Sequence, residues 1–293
     1  MLQESEGYQP PAGGSPGEVE ETTTSTTGSR LVGHLRYHHH FASEYLHNER
    51  TLAVYLPPCY RHHTGERYPV LYMQDGQNLF DPATSAVGIH WQANDTAERL
   101  IEAQRIRPVI LVGIYNTPER MHEYTWHYDS GHKSGGKGDI YGRFLMEEVK
   151  PFIDGRYRTL PDRRHTGVAG SSLGGLISLA LARGYPRQIG MCGAMSPSLW
   201  WCKGQLLKEI EQGSMNWMRH LRCWLDFGTK EGTAKGHVPP GIVRARKLVQ
   251  IFDQARMLPG KNYYYQEVAG GEHNEAHWAS RFDKMLLFFF GRR

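Results

Sequence analysis

The stretch Arg164–Leu181, RHTGVAGSSLGGLISLAL, decides how this chain is read. Thr166–Ala169 is a short run suited to a buried strand. It enters a Gly-Ser-Ser-Leu-Gly-Gly turn, and an apolar helix rich in small residues leaves it. Within the turn, Gly170-x-Ser172-x-Gly174 has the pattern of a nucleophile elbow, a strained strand-to-helix turn that lifts one serine hydroxyl above a sheet. The residues two before and two after that serine must be small, because the backbone there passes close to itself. A glycine-rich turn without chemistry has the same five residues, but the flanking strand and helix are the context a nucleophile requires. Ser172 is the candidate nucleophile, and an acyl carbon its target.

Working outward, the pattern alternates. Leu31–Ser43 and Arg50–Leu56 read as an antiparallel opening pair of strands. Strands follow at Tyr68–Gln74, Pro108–Ile114, Thr166–Ala169, Ile189–Met195, Leu221–Phe227 and Tyr263–Val268. Helical spacing covers Trp91–Ala103, Ile140–Ile153, Gly174–Arg183, Gln205–Glu211, Ile242–Ala255 and His277–Phe290, with Pro151 awkward near the end of the second. This is an α/β chain with a mostly parallel central sheet and helices on both faces. Residues 1–30 are rich in Gly, Pro, Glu, Ser and Thr and read as a disordered tail. Residues 31–293 read as one catalytic domain. Little sequence separates Met195 from Leu221, so an open cleft is expected rather than a large lid domain.

The 293 residues carry a formal charge of +4, with 39% hydrophobic and 22% charged residues, as in ordinary globular chains. Basic residues are scattered without interleaved aromatics, which argues against nucleic acid. No run approaches the ~18 apolar residues of a membrane span. No basic segment followed by an apolar stretch opens the chain, so the expected location is cytoplasmic, with no membrane partner. Cys59, Cys192, Cys202 and Cys223 form no CxxC pair and read as free thiols; a Cys192–Cys202 disulfide would need an oxidising compartment. His38-His39-His40 and His62-His63 invite a metal, but neighbours on a strand face opposite ways and no carboxylate lies at ligand spacing, so no metal or other cofactor is expected.

A serine needs a base, and the base an orienting acid, expected in the order serine, acid, histidine. Four histidines lie downstream: His220, His237, His273 and His277. His273, in the glycine turn after the last strand, is the preferred base. Glu231, just past the strand Leu221–Phe227, is the preferred acid, with Asp226 inside that strand as the alternative. The oxyanion donors should be the Leu173 N–H and an N–H from the turn after Tyr68–Gln74, where Gly76 makes the turn and Gln77 supplies the donor. Trp200, Trp201, Trp278 and Tyr128 are the aromatic candidates for substrate binding. The loop His127–Gly138 is glycine-rich but lacks the spacing of a phosphate-binding loop, and reads as a flap or a solvated loop.

YPVLYMQDGQNLFD, KPFIDGRYRT, GVAGSSLGGLISL, SPSLWW, GTKEG and GGEHNEAHW together resemble the Putative esterase family of α/β-hydrolases, which includes enterochelin, feruloyl and esterase D-type enzymes. The resemblance runs over roughly Leu31–Phe290. It implies the α/β-hydrolase fold and a serine carboxylic-ester hydrolase working through an acyl-enzyme on a small-molecule ester. By position it implies Ser172 as nucleophile, Glu231 as acid and His273 as base; the family often has aspartate where Glu231 stands. Siderophore, feruloyl, acetyl-sugar and simple esters all fit it. Acyl transfer through the same intermediate is an alternative activity, and a non-catalytic binding domain an alternative of another class.

Overall fold

The computed structural model describes residues 19–23, 33–232 and 238–292. Its strands are β1 (Val19–Thr23), β2 (His34–Ser43), β3 (Asn48–Leu56), β4 (Val70–Gln74), β5 (Ile110–Ile114), β6 (Tyr128–Asp129), β7 (Ser134–Gly135), β8 (Thr166–Ser171), β9 (Met191–Met195), β10 (Arg222–Gly228) and β11 (Tyr263–Val268). Its α-helices are α1 (Ala93–Glu102), α2 (Arg120–Glu123), α3 (Gly138–Arg143), α4 (Lys150–Arg156), α5 (Leu173–Gly184), α6 (Trp201–Gln212), α7 (Pro240–Gln254) and α8 (Glu275–Phe290).

Apolar runs buried on both faces build the centre of the sheet. Every residue of β4, β5, β8 and β9 is buried, as expected where helices cover both sides of parallel strands. The strand order is β1-β2-β3-β5-β4-β8-β9-β10-β11. From β5 to β11 neighbours run parallel; β1, β2 and β3 pair antiparallel at one side. The sheet separates two cores. One packs α5, α6 and α7 against one face, with residues such as Ile177, Ile210 and Phe252. The other is made by α1 and α8, with Ala97, Phe282 and Phe289.

The chain leaves β4 with β5 on one side and β8 on the other, so the connections after β4 and β8 diverge. A crevice beyond the carboxyl ends of such strands is where α/β sheets bind ligands. Both the elbow and the turn after β4 open there.

Three local readings change. Residues 19–23, expected to be disordered, form edge strand β1 against β2; Val19, Thr22 and Thr23 are β-branched types that favour strands. The rest of the tail, the start of the first expected strand and His237 lie outside the described residues. The helix over 140–153 is a composite, α3 running through a π-helical stretch (Phe144–Val149) into α4. Pro151 has no N–H to give and its ring would crowd the carbonyl one turn back; the wider π turn precedes it and absorbs the misfit. The cysteines are free, and the partner facing Cys192 across the β9–β10 ladder is Cys223 rather than Cys202.

His38 shows how a polar group survives in this packing. Its Nε2 lies 2.6 Å from the Tyr157 hydroxyl, and its ring meets Phe152 edge-on at 4.9 Å. Burial, then the Arg156 and Arg36 charges, lowers its pKa from 6.5 to about 4. The unfolded chain therefore binds the proton more readily, and stability is lost as the pH falls from the unfolded value toward the folded one. Between pH 7 and pH 5 the loss from this residue should reach at most about 2 kcal/mol. Urea denaturation at the two pH values should show that drop in the wild type and a smaller one in His38→Gln.

Candidate active site

The elbow is set by sterics. Ser172 has φ 56° and ψ −121°, a conformation an L residue adopts only when its surroundings enforce it. A Cβ added at Gly170 would fall 2.7 Å from the carbonyl carbon of Gly174 and 2.9 Å from Gln74 Cβ, so the turn closes only without a side chain there. The Ser172 N–H donates to Met195 O at 3.0 Å, and the Ser198 N–H donates to Ser172 O at 3.0 Å. The loop after β9 is thereby strapped to the elbow.

The structure brings Ser172, His273 and Glu231 together. His273 Nε2 lies 2.9 Å from Ser172 Oγ, and His273 Nδ1 lies 2.7 Å from Glu231 Oε2. His273 sits in the turn between β11 and α8, and Glu231 in the loop after β10. Asp226 is not in this relay. It lies within β10, where Trp224 Nε1 donates to its Oδ2 at 2.6 Å and Arg281 Nη2 lies 3.1 Å from its Oδ1. His277 donates its backbone N–H to Asn274 Oδ1, the cap of α8, and His220 ends a 3-10 turn before β10.

Beneath the relay is a buried polar network. Glu231 Oε1 accepts from Ser196 Oγ at 2.6 Å and from the Gly228 N–H at 2.8 Å. Ser196 Oγ in turn accepts from Trp278 Nε1 at 3.1 Å and from Arg281 Nη2 at 2.6 Å. Burial pushes the Glu231 carboxyl up, but hydrogen bonds from His273 and Ser196 outweigh it and hold the group below its ordinary value. Burial dominates at Asp226 and raises its carboxyl to about 6, although Arg281 and Trp224 oppose it.

The turn after β4 carries Gly76 and Gln77, the residues expected to form an oxyanion loop. Asp75 opens it with φ 56° and ψ 48°. Arg120 grips the Asp75 carboxylate with Nε to Oδ1 at 2.7 Å and Nη2 to Oδ2 at 2.8 Å, and Asn116 Nδ2 donates to Oδ1 at 2.7 Å. The Asp75 N–H donates to the Tyr124 hydroxyl at 3.1 Å. Gly76 lies so close to β5 that a Cβ would fall 2.5 Å from the Gly113 carbonyl carbon. Gln77 is buried in the first turn of the 3-10 helix Gly76–Asn78, and Leu173 is the first residue of α5; amides at helix starts have no acceptor within the helix. Gly174 abuts Gln74, so the turn and the elbow are neighbours.

The aromatic candidates divide. Trp200 and Tyr128 are exposed, at 43% and 57%. Trp201 is buried, and its Nε1 donates to His127 O at 2.9 Å, which fixes the β6–β7 hairpin to the start of α6. The loop His127–Gly138 is a largely exposed hairpin, tied down at Asp129, Ser134 and Gly135. Trp278 stands against His273. It is buried on α8 with its ring edge-on to His273 at 4.8 Å, a support for the imidazole. Ser196 opens the SPSLWW stretch, but its bridging role is visible only in the fold; Arg281 and Arg120 lie in none of the quoted stretches, and only their places on α8 and α2 reveal them. One spacing argument also fails: Cys59, His63 and Glu66 bring ligand-type atoms within 4.8 Å of one another. They lie between β3 and β4, at the opposite end of the sheet from Ser172.

The Putative esterase family model matches residues 43–289. The chain belongs to this family. It is an α/β-hydrolase and a carboxylic-ester hydrolase. It is 25% identical over 259 residues to the uncharacterized protein YbbA of Bacillus subtilis, covering 85% of this chain and 96% of that protein. It is 30% identical over 202 residues to the iron(III) salmochelin esterase of Escherichia coli O6:H1, covering 64% of this chain and 44% of that enzyme. A ferulic acid esterase structure superposes with a TM-score of 0.66 at 19% identity, covering 93% of this chain and 98% of that one. No helix among the described residues of this esterase is long and apolar enough to cross a membrane.

Replacing Ser196 with Ala would leave the Trp278 N–H and Arg281 Nη2 without their shared acceptor and Glu231 with one donor fewer. An orphaned buried polar group costs about 1–3 kcal/mol. Ser196→Ala should therefore lower the melting temperature and also reduce kcat on p-nitrophenyl acetate, while Ser196→Thr should recover part of both.

Proposed function

We propose that this esterase works through a Ser172–His273–Glu231 triad and an acyl-enzyme intermediate. Ser172 Oγ gives its proton to His273 Nε2 as it attacks the ester carbonyl. Glu231 orients the imidazole and stabilises the imidazolium that forms. The Leu173 and Gln77 amides receive the developing oxyanion. His273 then returns the proton to the leaving alcohol, and a water activated by His273 releases the acid.

The observation that carries the reading is the unbroken run of hydrogen bonds from Ser172 Oγ through His273 to Glu231, at 2.9 and 2.7 Å. The lowered Glu231 carboxyl supports it, because the acid is then ionised across the neutral range. Asp226 is engaged with Trp224 and Arg281 and faces away from this task. The names of its relatives favour small esters bearing aromatic or polyhydroxylated groups, and exposed Trp200 and Tyr128 offer surfaces on which such rings stack.

Ser172→Ala should lower p-nitrophenyl acetate turnover by at least about 10⁴-fold and abolish labelling by a fluorophosphonate probe. A variant that keeps wild-type turnover would sink the triad. Glu231→Gln should lower kcat by about 10²–10⁴-fold, as for a lost orienting acid, and by much more than Asp226→Asn does. The reverse order would move the acid role to Asp226.

A further inference from the structure

A cavity of about 490 Å³ opens beside the oxyanion loop, lined among others by His39, His40, Thr51, Tyr115, Asn116 and Thr117. That volume is within the range of small-molecule sites. We propose that this cavity is the subsite for an uncharged, hydroxyl-bearing ring in the part of the ester remote from the scissile carbonyl. The proposal rests on the serine esterase reading above and names a specificity site for it.

Its position comes from the topology. β3 runs antiparallel to β5, so the start of β3 lies beyond the carboxyl end of β5, and the Tyr115 N–H donates to Thr51 O at 3.0 Å. The cavity therefore opens at the same end of the sheet as Ser172. Asn116 joins the two sites. It lines the cavity, donates from its side chain to Asp75, and donates its backbone N–H to Gln77 Oε1 at 3.2 Å.

Two adjacent histidines line one cavity because β2 is irregular. Its register with β3 shifts between His38 and Phe41, and His40 has φ 54°. A regular strand would send His39 and His40 to opposite faces; bulges re-aim side chains and recur beside active sites. His40 Nδ1 is held by Glu49 Oε1 at 2.7 Å, and His39 Nδ1 lies 3.2 Å from Thr51 Oγ1.

The lining indicates the ligand's chemistry. Imidazole, phenol and proline rings present flat faces suited to stacking a ring. The Thr51 and Thr117 hydroxyls suit ligand hydroxyls, while the Asn48 amide is held between Glu123 and Arg50. Two lining charges are matched within the protein: Arg50 is held by Glu123 at 2.8 and 3.0 Å, and Glu119 by Lys137 at 2.8 Å; the third, Glu49, meets His40. An anionic group would thus meet a lining whose arginine is already occupied.

The test fills the cavity. Thr117→Trp and the conservative Thr117→Ser are compared with the wild type on vinyl acetate, ethyl ferulate and 6-O-acetylglucose. Thr117→Trp should lower kcat/KM for at least one ring-bearing ester, relative to vinyl acetate, by about tenfold or more, mainly through KM. Thr117→Ser should preserve the ratio. Loss with ethyl ferulate places the acyl ring in the cavity, and loss with acetylglucose places the sugar there. An unchanged ratio for both overturns the proposal. The same ligands are titrated by calorimetry against Ser172→Ala with and without Thr117→Trp. Binding abolished by the tryptophan supports the subsite even if turnover is absent, which would overturn the esterase mechanism alone; binding indifferent to it overturns the subsite.

Discussion

At residue 172 the backbone must turn from a strand into a helix with φ at 56°, and it does so only because Gly170 has no side chain to meet Gly174 and Gln74. The strained turn is held by bonds from neighbours: Ser172 N–H to Met195 O and Ser198 N–H to Ser172 O. Those bonds recruit the loop after β9, and with it Ser196. Ser196 then contacts the acid, Trp278 and Arg281. The conformation that exposes the serine and the network that orients its partners are consequently one structural unit, anchored at the carboxyl ends of β8 and β9.

The periodicity of the apolar runs carried the sheet, because strands buried on both faces have no polar side to confuse the reading. The elbow was legible for a related reason: a turn that tolerates only glycine at two places leaves a signature in residue types. The residues around Glu231 were legible as motif members at most: Ser196 and Trp278 lie in SPSLWW and GGEHNEAHW, but nothing in those stretches says what they bond. Ser196, Arg281 and Trp278 lie far apart in sequence, and a serine or arginine becomes a hydrogen-bond bridge only through the packing of α8 on the sheet. The burial of the aromatics was equally hard to read. Trp201 and Trp278 sit in segments near the site, yet area burial draws such rings inward and only their N–H tips remain committed to polar partners. The His39–His40 pair was misread because strand alternation was applied across a bulge that no residue type announces.

Charge beneath the site is arranged unequally. Two buried carboxylates, Glu231 and Asp226, face one buried guanidinium, Arg281, whose Nη2 lies 3.5 Å from Glu231 Oε1 and 3.1 Å from Asp226 Oδ1. They titrate apart. Glu231 is held down by donors from three sides, whereas burial lifts Asp226 to about 6. Environments that push two acids apart assign them separate duties. As pH falls, Asp226 takes the first proton, and the Arg281 charge is left to Glu231. The acid facing His273 thus keeps its negative charge over the wider range, and its ability to orient the imidazole is insulated from mild acid.

The same division of labour runs across the sheet. In the proposed mechanism the parallel strands β4, β8, β10 and β11 supply the reacting groups from short, braced turns. The antiparallel side supplies a cavity from a bulged strand and an extended loop, in contact with the oxyanion turn through Asn116. If the cavity is the proposed subsite, substitutions on the antiparallel side would change the preferred ring without disturbing the elbow, whose strained backbone is built elsewhere. The coupling passes instead through Asn116 to Asp75 and Gln77, so a ligand that orders Asn116 also orders the turn that receives the oxyanion. A substrate filling the cavity would then gain rate as well as affinity, since remote contacts raise kcat when they position the groups that act in the transition state.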